Sequence, residues 1–267
     1  MKNIEVNGNS VAYATGTGHP AADAPVILFV HGAGMDHSVW VMPARFFARH
    51  GYRVIAPDLP GHGLSAPPAI DSVADYADWI AALLDALAID RCVLVGHSMG
   101  SLIAYATAAS HPQRIDKVAL LGTSAPMPVS DALLGAAADD HPAAFAMGNT
   151  WSHSPTGRLG RGGTPGTWNL MSGLRLLERS APGVYHADLA ACNGFDQAAF
   201  PAVESTTPAL VIAGAKDQMT PPKAGIKVAA GLPNCTQVTL PDCGHSMLSE
   251  APNAVLDALA AFAGVAT

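Results

Sequence analysis

Gly96-His97-Ser98-Met99-Gly100 is a G-x-S-x-G pentapeptide set between the apolar run Cys92-Val93-Leu94-Val95 and the helical stretch from Leu102 to Ser110. A strand, a tight turn and a helix in that order hold the serine in strained backbone at the tip of the turn. The flanking glycines remove Cβ atoms that would collide there. The hydroxyl is thereby presented to a substrate. A serine hydroxyl is a weak nucleophile at neutral pH, so chemistry at Ser98 needs a general base within hydrogen-bond reach and a carboxylate to orient that base. The reaction such a set serves is acyl transfer. The plainer role for Ser98 is to cap the helix that follows; the order strand, turn, helix favours the nucleophile.

The elements that must hold these residues alternate along the chain. Ile4-Glu5-Val6 and Val11-Ala12-Tyr13 flank Asn7-Gly8-Asn9, the turn chemistry of a hairpin and hence of an antiparallel sheet edge. Short, almost wholly apolar runs follow at Val26 to Val30, Arg53 to Ala56, Cys92 to Val95, Val118 to Leu121, Ala209 to Ala213 and Gln237 to Leu240. Runs of this kind suit parallel strands buried on both faces. Helical spacing lies between them at Val39 to Arg49, Val73 to Ala88, Leu102 to Ser110, Lys223 to Ala230 and Ala254 to Phe262. The alternation predicts an α/β sheet covered by helices on both sides. It breaks between residues 124 and 205, where no buried strand is evident, Leu170 to Leu177 and Tyr185 to Cys192 look helical, and Gly157 to Gly166 looks like a mobile loop. The expected organisation is a core of residues 1–123 and 206–267 with a helical cap inserted at 124–205.

Two further loops carry a resemblance. His31-Gly32-Ala33-Gly34 ends the first apolar run, and Asp58-Leu59-Pro60-Gly61-His62-Gly63-Leu64-Ser65 follows the next. Together with the pentapeptide they make the chain similar, from Val26 to Phe262, to the α/β-hydrolase family, whose oxyanion loop and D-x-x-G-x-G-x-S turn stand in these places. The common pattern has a second Gly after G-x-S-x-G; Ser101 stands there instead, which is expected to loosen helix-strand packing slightly. The family order of nucleophile, acid and histidine selects His245, which alone of the eleven His lies beyond residue 186. The acid it implies is Asp217, in Gly214-Ala215-Lys216-Asp217-Gln218-Met219-Thr220-Pro221-Pro222, similar to the family's G-x-x-D-x-x-x-P loop; Asp131, after the preceding strand, is the rival acid. By the same resemblance the oxyanion hole consists of the backbone N–H groups of Met99 and Ala33, so truncating their side chains should matter far less than truncating Ser98. Because His245 must be neutral to act as a base, turnover is expected to rise with pH as its imidazole loses its proton.

The resemblance implies a serine hydrolase, carboxylesterase-like, acting on small, mainly apolar carboxylic esters or lactones through an acyl-enzyme, with no cofactor. Ser in place of Asp at position 98 disfavours dehalogenase and epoxide hydrolase chemistry. Hydrolases of carbon-carbon bonds share the triad but resemble G-N-S-M-G-G with an aromatic residue after the histidine, places held here by His97 and Ser246. Carbon-carbon bond hydrolysis and cofactor-free perhydrolase chemistry stay open as alternatives on the same triad, as does a ligand receptor that kept the fold without turnover. His31, His62, His97 and Asp58 are expected to brace backbone or line the pocket. Trp151, Trp168, Met147 and Met171 either wall an apolar acyl pocket or pack within the cap. Arg158, Arg161 and Arg175 either meet a substrate carboxylate or are solvated. His31, Asp36 and His37 lack a recognised metal spacing, so no metal is expected.

Composition narrows the remaining classes. Apolar residues make up 49% of the 267 and charged residues 13%, so the chain is expected to fold around one sizeable core rather than stay disordered. The net charge of −7, without a basic run, gives no electrostatic footprint for nucleic acid or an anionic membrane. Met1 to Ser10 lacks the apolar core of a secretory signal, and no apolar run reaches membrane-spanning length. Cys92, Cys192, Cys235 and Cys243, unpaired by spacing, fit reduced thiols and a cytoplasmic setting. The expected partner is a small-molecule substrate; nothing in the sequence bears on oligomeric state.

Overall fold

Asn7 and Gly8 take left-handed backbone, with φ of 52° and 81°, and so make the two-residue turn that folds β1 (Lys2–Val6) back on β2 (Asn9–Ala14), Ile4 opposite Val11. In the computed structural model, which describes residues 1–160, 166–204 and 206–265, this hairpin is the edge of an eight-stranded sheet. The other strands are β3 (Val26–Val30), β4 (Arg53–Pro57), β5 (Cys92–His97), β6 (Ile115–Leu121), β7 (Ala209–Gly214) and β8 (Cys235–Leu240). Their order is β1-β2-β4-β3-β5-β6-β7-β8, antiparallel as far as the β2–β4 pair and parallel beyond it.

Helices cover both faces. In chain order they are α1 (Val41–Arg49), α2 (Val73–Ala86), α3 (Met99–Ser110), α4 (Asp131–Ala138), α5 (Pro142–Ser152), α6 (Pro155–Arg158), α7 (Asn169–Leu177), α8 (Val184–Asn193), α9 (Pro222–Ala230), α10 (Met247–Glu250) and α11 (Pro252–Ala263). The two-residue period of a strand divides its side chains between two cores. Leu28, Val30, Leu94 and Leu120 join the core of α2 and α3, whereas Ile27, Phe29, Val95 and Leu121 join that of α1 and α11. Double coverage explains why β3, β5 and β7 are apolar almost throughout. The run at Gln237 to Leu240 departs from that expectation: β8 is the far edge, and its residues are exposed or half-buried until Leu240.

Chain order puts β4 on one side of β3 and β5 on the other, with Val30 paired to Gly96. The reversal opens a crevice beyond the carboxyl ends of β3 and β5, where α/β sheets hold their ligands. The loops bearing His31 to Gly34 and Ser98 are thereby brought side by side. Between β6 and β7, helices α4 to α8 occupy the stretch read as inserted, with no strand among its described residues. Leu133, Ala137, Ala144, Leu177, Tyr185 and Leu189 form a small apolar cluster of their own there. Arg161 and the centre of the loop read at Gly157 to Gly166 lie outside the described residues.

Candidate active site

Ser98 lies between β5 and α3 with φ 56° and ψ −122°, a positive-φ conformation that a residue with a side chain adopts only under constraint. The constraint comes from both sides of the residue. Its N–H donates to Leu121 O of β6 at 2.9 Å, and its carbonyl accepts from Ser101 N–H at 2.8 Å and from the Ser101 hydroxyl at 2.6 Å. The Ser101 hydroxyl thus gives the turn a side-chain bond that glycine would lack. A Cβ at Gly96 would lie 1.9 Å from Gly100 O, and one at Gly100 would lie 2.3 Å from Val30 O. Since these neighbours are backbone, Gly100→Ala is expected to cost at least ~3 kcal/mol, at the upper end of overpacking penalties, and to lower the melting temperature by at least ~6 °C. A thermal melt checks this; an unchanged midpoint would mean that the turn is slack.

The loops after β7 and β8 bring a carboxylate and an imidazole together. Asp217 Oδ1 accepts from Met219 N–H at 2.9 Å and Thr220 N–H at 2.8 Å, while Oδ2 accepts from the Thr220 hydroxyl at 2.7 Å and lies 2.8 Å from His245 Nδ1. Burial works against the charge on Asp217, yet His245 and Thr220 together hold its carboxyl below the usual range. A carboxylate at Nδ1 keeps the proton there and leaves Nε2 as a lone pair, the form a general base requires. Nε2 is buried and has no hydrogen-bond partner among the described residues. Gly122, at φ 58°, lets the backbone approach the ring, since a Cβ there would sit 3.1 Å from Nδ1. Asp131, the rival acid, is an exposed first residue of α4.

The other buried histidines brace backbone. His31 Nδ1 lies 2.9 Å from Gly32 O and Nε2 accepts from Leu59 N–H at 3.0 Å, so the ring is neutral; burial, with His62 beside it, pushes its pKa down to about 4. His97 Nε2 lies 2.8 Å from His245 O, and burial next to His245 takes its pKa down to about 3. In an unfolded chain both imidazoles titrate near ~6.5. Unfolding therefore takes up protons between pH ~6.5 and about 4, so stability falls as the pH drops across that window. His37, raised chiefly by its bond to Asp58, and His62, raised by Asp188 against the effect of burial, act in the opposite sense and only above the unfolded value. Melts at pH 6.5, 5.5 and 4.5, below the range in which His37 and His62 act, should show a progressive decline, and a flat series would contradict the neutral buried rings.

Asp58 accepts from His37 N–H at 2.8 Å and Leu64 N–H at 3.0 Å and lies 2.7 Å from His37 Nδ1, which makes it the brace of its own turn. Among the described residues Asp36, His37 and Asp58 bring three potential metal-ligand atoms within 4.8 Å of one another. All three are engaged: Asp36 pairs with Arg179, and His37 with Asp58.

Ser98, Thr220, His245 and Ala33 share a cavity of about 230 Å³ whose wall includes Met127, Leu133, Trp151, Tyr185, Leu189 and Cys192. Among the described residues, apart from His245 no ionisable side chain other than those of Tyr185 and Cys192 lines it, and burial raises the pKa of both of these, so they stay neutral. Met99 is fully buried at the start of α3, where a first-turn N–H has no intrahelical acceptor. A Cβ at Gly32 would lie 3.0 Å from Ser98 Cβ, so the His31 to Gly34 loop presses directly on the serine. Trp151 lies in the cavity wall, but Trp168 is 58% exposed and neither it nor Met171 lines this cavity. Arg158 donates to His153 O and Gln218, and Arg175 pairs with Glu178. Thr220 escaped the sequence reading, although its place three residues after Asp217 is the spacing of a side-chain-closed turn. All four cysteines are free thiols, and among the described residues no helix is long and apolar enough to cross a membrane.

Known proteins share this fold. The model of the alpha/beta hydrolase family matches residues 27–258. The enol-lactonase from Burkholderia xenovorans LB400 superposes with a TM-score of 0.86 at 25% identity, over 98% of this chain and 100% of that one. A hydrolase from Pseudomonas aeruginosa PA01 gives 0.80 at 28% identity, over 99% and 98%. A curated relative, the (E)-2-((N-methylformamido)methylene)succinate hydrolase of Acinetobacter baylyi, is 32% identical over 123 residues, which is 45% of this chain and 44% of that protein. The matches thus span less than half the length of the curated relatives.

Proposed function

The chain belongs to the alpha/beta hydrolase family, and from that premise we propose that it is a serine hydrolase of small, mainly apolar carboxylic esters or lactones. The observation that carries this reading is the convergence of a strained Ser98 and a carboxylate-bound His245 on one apolar cavity. Ser98 Oγ attacks the carbonyl carbon while His245 Nε2 takes its proton, and the negative charge that develops on the carbonyl oxygen meets the N–H groups of Met99 and Ala33. Collapse expels the alcohol, protonated by His245, and leaves an acyl-Ser98. A water deprotonated by His245 then releases the acid and restores the serine. Residues 124–205 act as the cap that screens what enters. The Burkholderia enol-lactonase, similar over nearly the whole chain, supports lactones as members of the class.

The test is hydrolysis of a chromogenic ester series from acetate to octanoate, whose chain-length optimum sizes the acyl side of the cavity. No turnover and no labelling of Ser98 by a fluorophosphonate would favour the receptor reading instead. The described residues of the cavity wall include no Lys or Arg, so burying a carboxylate there costs several kcal/mol. A hemisuccinate ester is therefore expected to show kcat/KM at least ~10-fold below its neutral isostere, a loss of ~1.4 kcal/mol or more. Equal efficiency would contradict the neutral acyl site.

A further inference from the structure

Asp188 lies in α8 and is fully buried, yet it takes no part in the chemistry described above. Its Oδ2 accepts from Gly34 N–H at 2.7 Å and lies 2.8 Å from His62 Nε2. The Gly34 carbonyl accepts from the Ser180 hydroxyl at 3.0 Å. Both polar backbone groups of the residue after Ala33 are thus held by side chains of the 124–205 segment. The contact is also steric: at φ 66°, a Cβ on Gly34 would lie 2.7 Å from Tyr185 Cδ2 and 2.9 Å from Leu177 Cδ2. Gly32 presses on Ser98 from the other side, so Ala33 is gripped between the serine and α8.

The anchor itself is supported. His62 Nδ1 faces Pro60 O at 3.0 Å and Nε2 faces Asp188, so each ring nitrogen meets an acceptor and both must donate. An imidazolium beside Asp188 compensates its buried charge, and the His62 ring packs at 4.9 Å on His31, whose Nδ1 reaches Gly32 O. The chain of contacts runs without a break from α8 through His62 and His31 back to the loop that presses on Ser98.

We propose that Asp188 is a positioning residue: its carboxylate holds the Gly34 amide so that the preceding Ala33 N–H faces the developing oxyanion, which makes the oxyanion hole depend on a helix of the inserted segment. The role rests on the hydrolase reading above. A donor acts through its preorganisation, so a slack loop weakens transition-state binding more than substrate binding. Asp188→Ala is expected to lower kcat ~10- to 100-fold, a part of what loss of a whole donor costs, with KM for a butyrate ester within about twofold. Affinity for an alkyl trifluoromethyl ketone, whose adduct with Ser98 carries the oxyanion, should fall by the same factor as kcat/KM. Asp188→Asn keeps an oxygen for Gly34 N–H and should recover most of the loss. Exchange of the Gly34 amide with deuterium should quicken in Asp188→Ala.

If Asp188→Ala does not fold, Ser180→Ala removes only the hydroxyl at the Gly34 carbonyl; it should lower kcat several-fold at unchanged KM. An unaltered kcat in Asp188→Ala, or kcat and KM worsening together with the ketone affinity untouched, overturns the positioning role while the hydrolase reading stands. Absence of Ser98-dependent turnover in the wild type overturns the hydrolase reading and this role with it.

Discussion

Ser98→Ala is expected to reduce ester turnover by about 10⁴- to 10⁶-fold, the range seen when a serine hydrolase loses its nucleophile. The loss falls on kcat, because the cavity and the oxyanion donors remain and substrate still binds. The reason lies in the backbone: at φ 56° and ψ −122° the hydroxyl is held at the tip of the turn, a position that no neighbouring side chain can take over. Stability should hardly change, since the bonds that lock the turn are the N–H of residue 98 to Leu121 O and the Ser101 bonds to the carbonyl of residue 98, all independent of the removed oxygen. Steady-state kinetics and a thermal melt on the same preparation read both quantities. A variant retaining a tenth of the activity, with an intact melt, would rule out Ser98 as nucleophile.

Asp217→Asn is expected to cost about 10³- to 10⁴-fold in kcat with the fold intact. Met219 N–H and Thr220 N–H both require an oxygen at the Oδ1 position, which forces the amide nitrogen into the Oδ2 position, facing His245 Nδ1. An N–H there needs Nδ1 as acceptor, so the ring proton moves to Nε2, the atom that must receive the serine proton. The variant is thus isosteric and holds the wrong tautomer. Its KM should stay within a few-fold of the wild type, and loss confined to KM would show that Asp217 orients substrate instead. The same carboxylate contributes to stability above the pH at which an unfolded Asp ionises; the contribution is lost as pH falls through its lowered folded value.

The residues read correctly from sequence share a property: their constraints are local. Gly96 is demanded by its contact with Gly100 within one strand-turn-helix, and Asn7-Gly8 by a two-residue turn, whereas Gly100 was legible through its motif although the backbone it must clear, Val30 O, lies on another strand. The buried parallel strands announced themselves because coverage on both faces leaves no polar position. For Trp168 and Met171 the sequence could not choose between cavity wall and cap packing, because an aromatic or thioether near a helix start looks the same whether it is turned to a cavity or to water; Trp168 stands mostly in water. The run at Gln237 to Leu240 looked interior because nothing in a strand's own residues gives its place in the strand order.

Asp188 shows the same divide more sharply. One signal was present, an acid on the helix face shared by Val184, Tyr185 and Cys192, all buried. Its partners His62 and Gly34 lie 126 and 154 residues away along the chain, and no local pattern names them. The primary structure thus carried the strands, the elbow and the family order that proposes Ser98, Asp217 and His245 as nucleophile, acid and base, because steric and chemical demands of short range write themselves into adjacent residues. Which side chains wall the cavity, and which carboxylate holds the Gly34 amide, followed from how helices dock on the sheet, since a helix's rotation about its axis is set by packing partners far off in the chain.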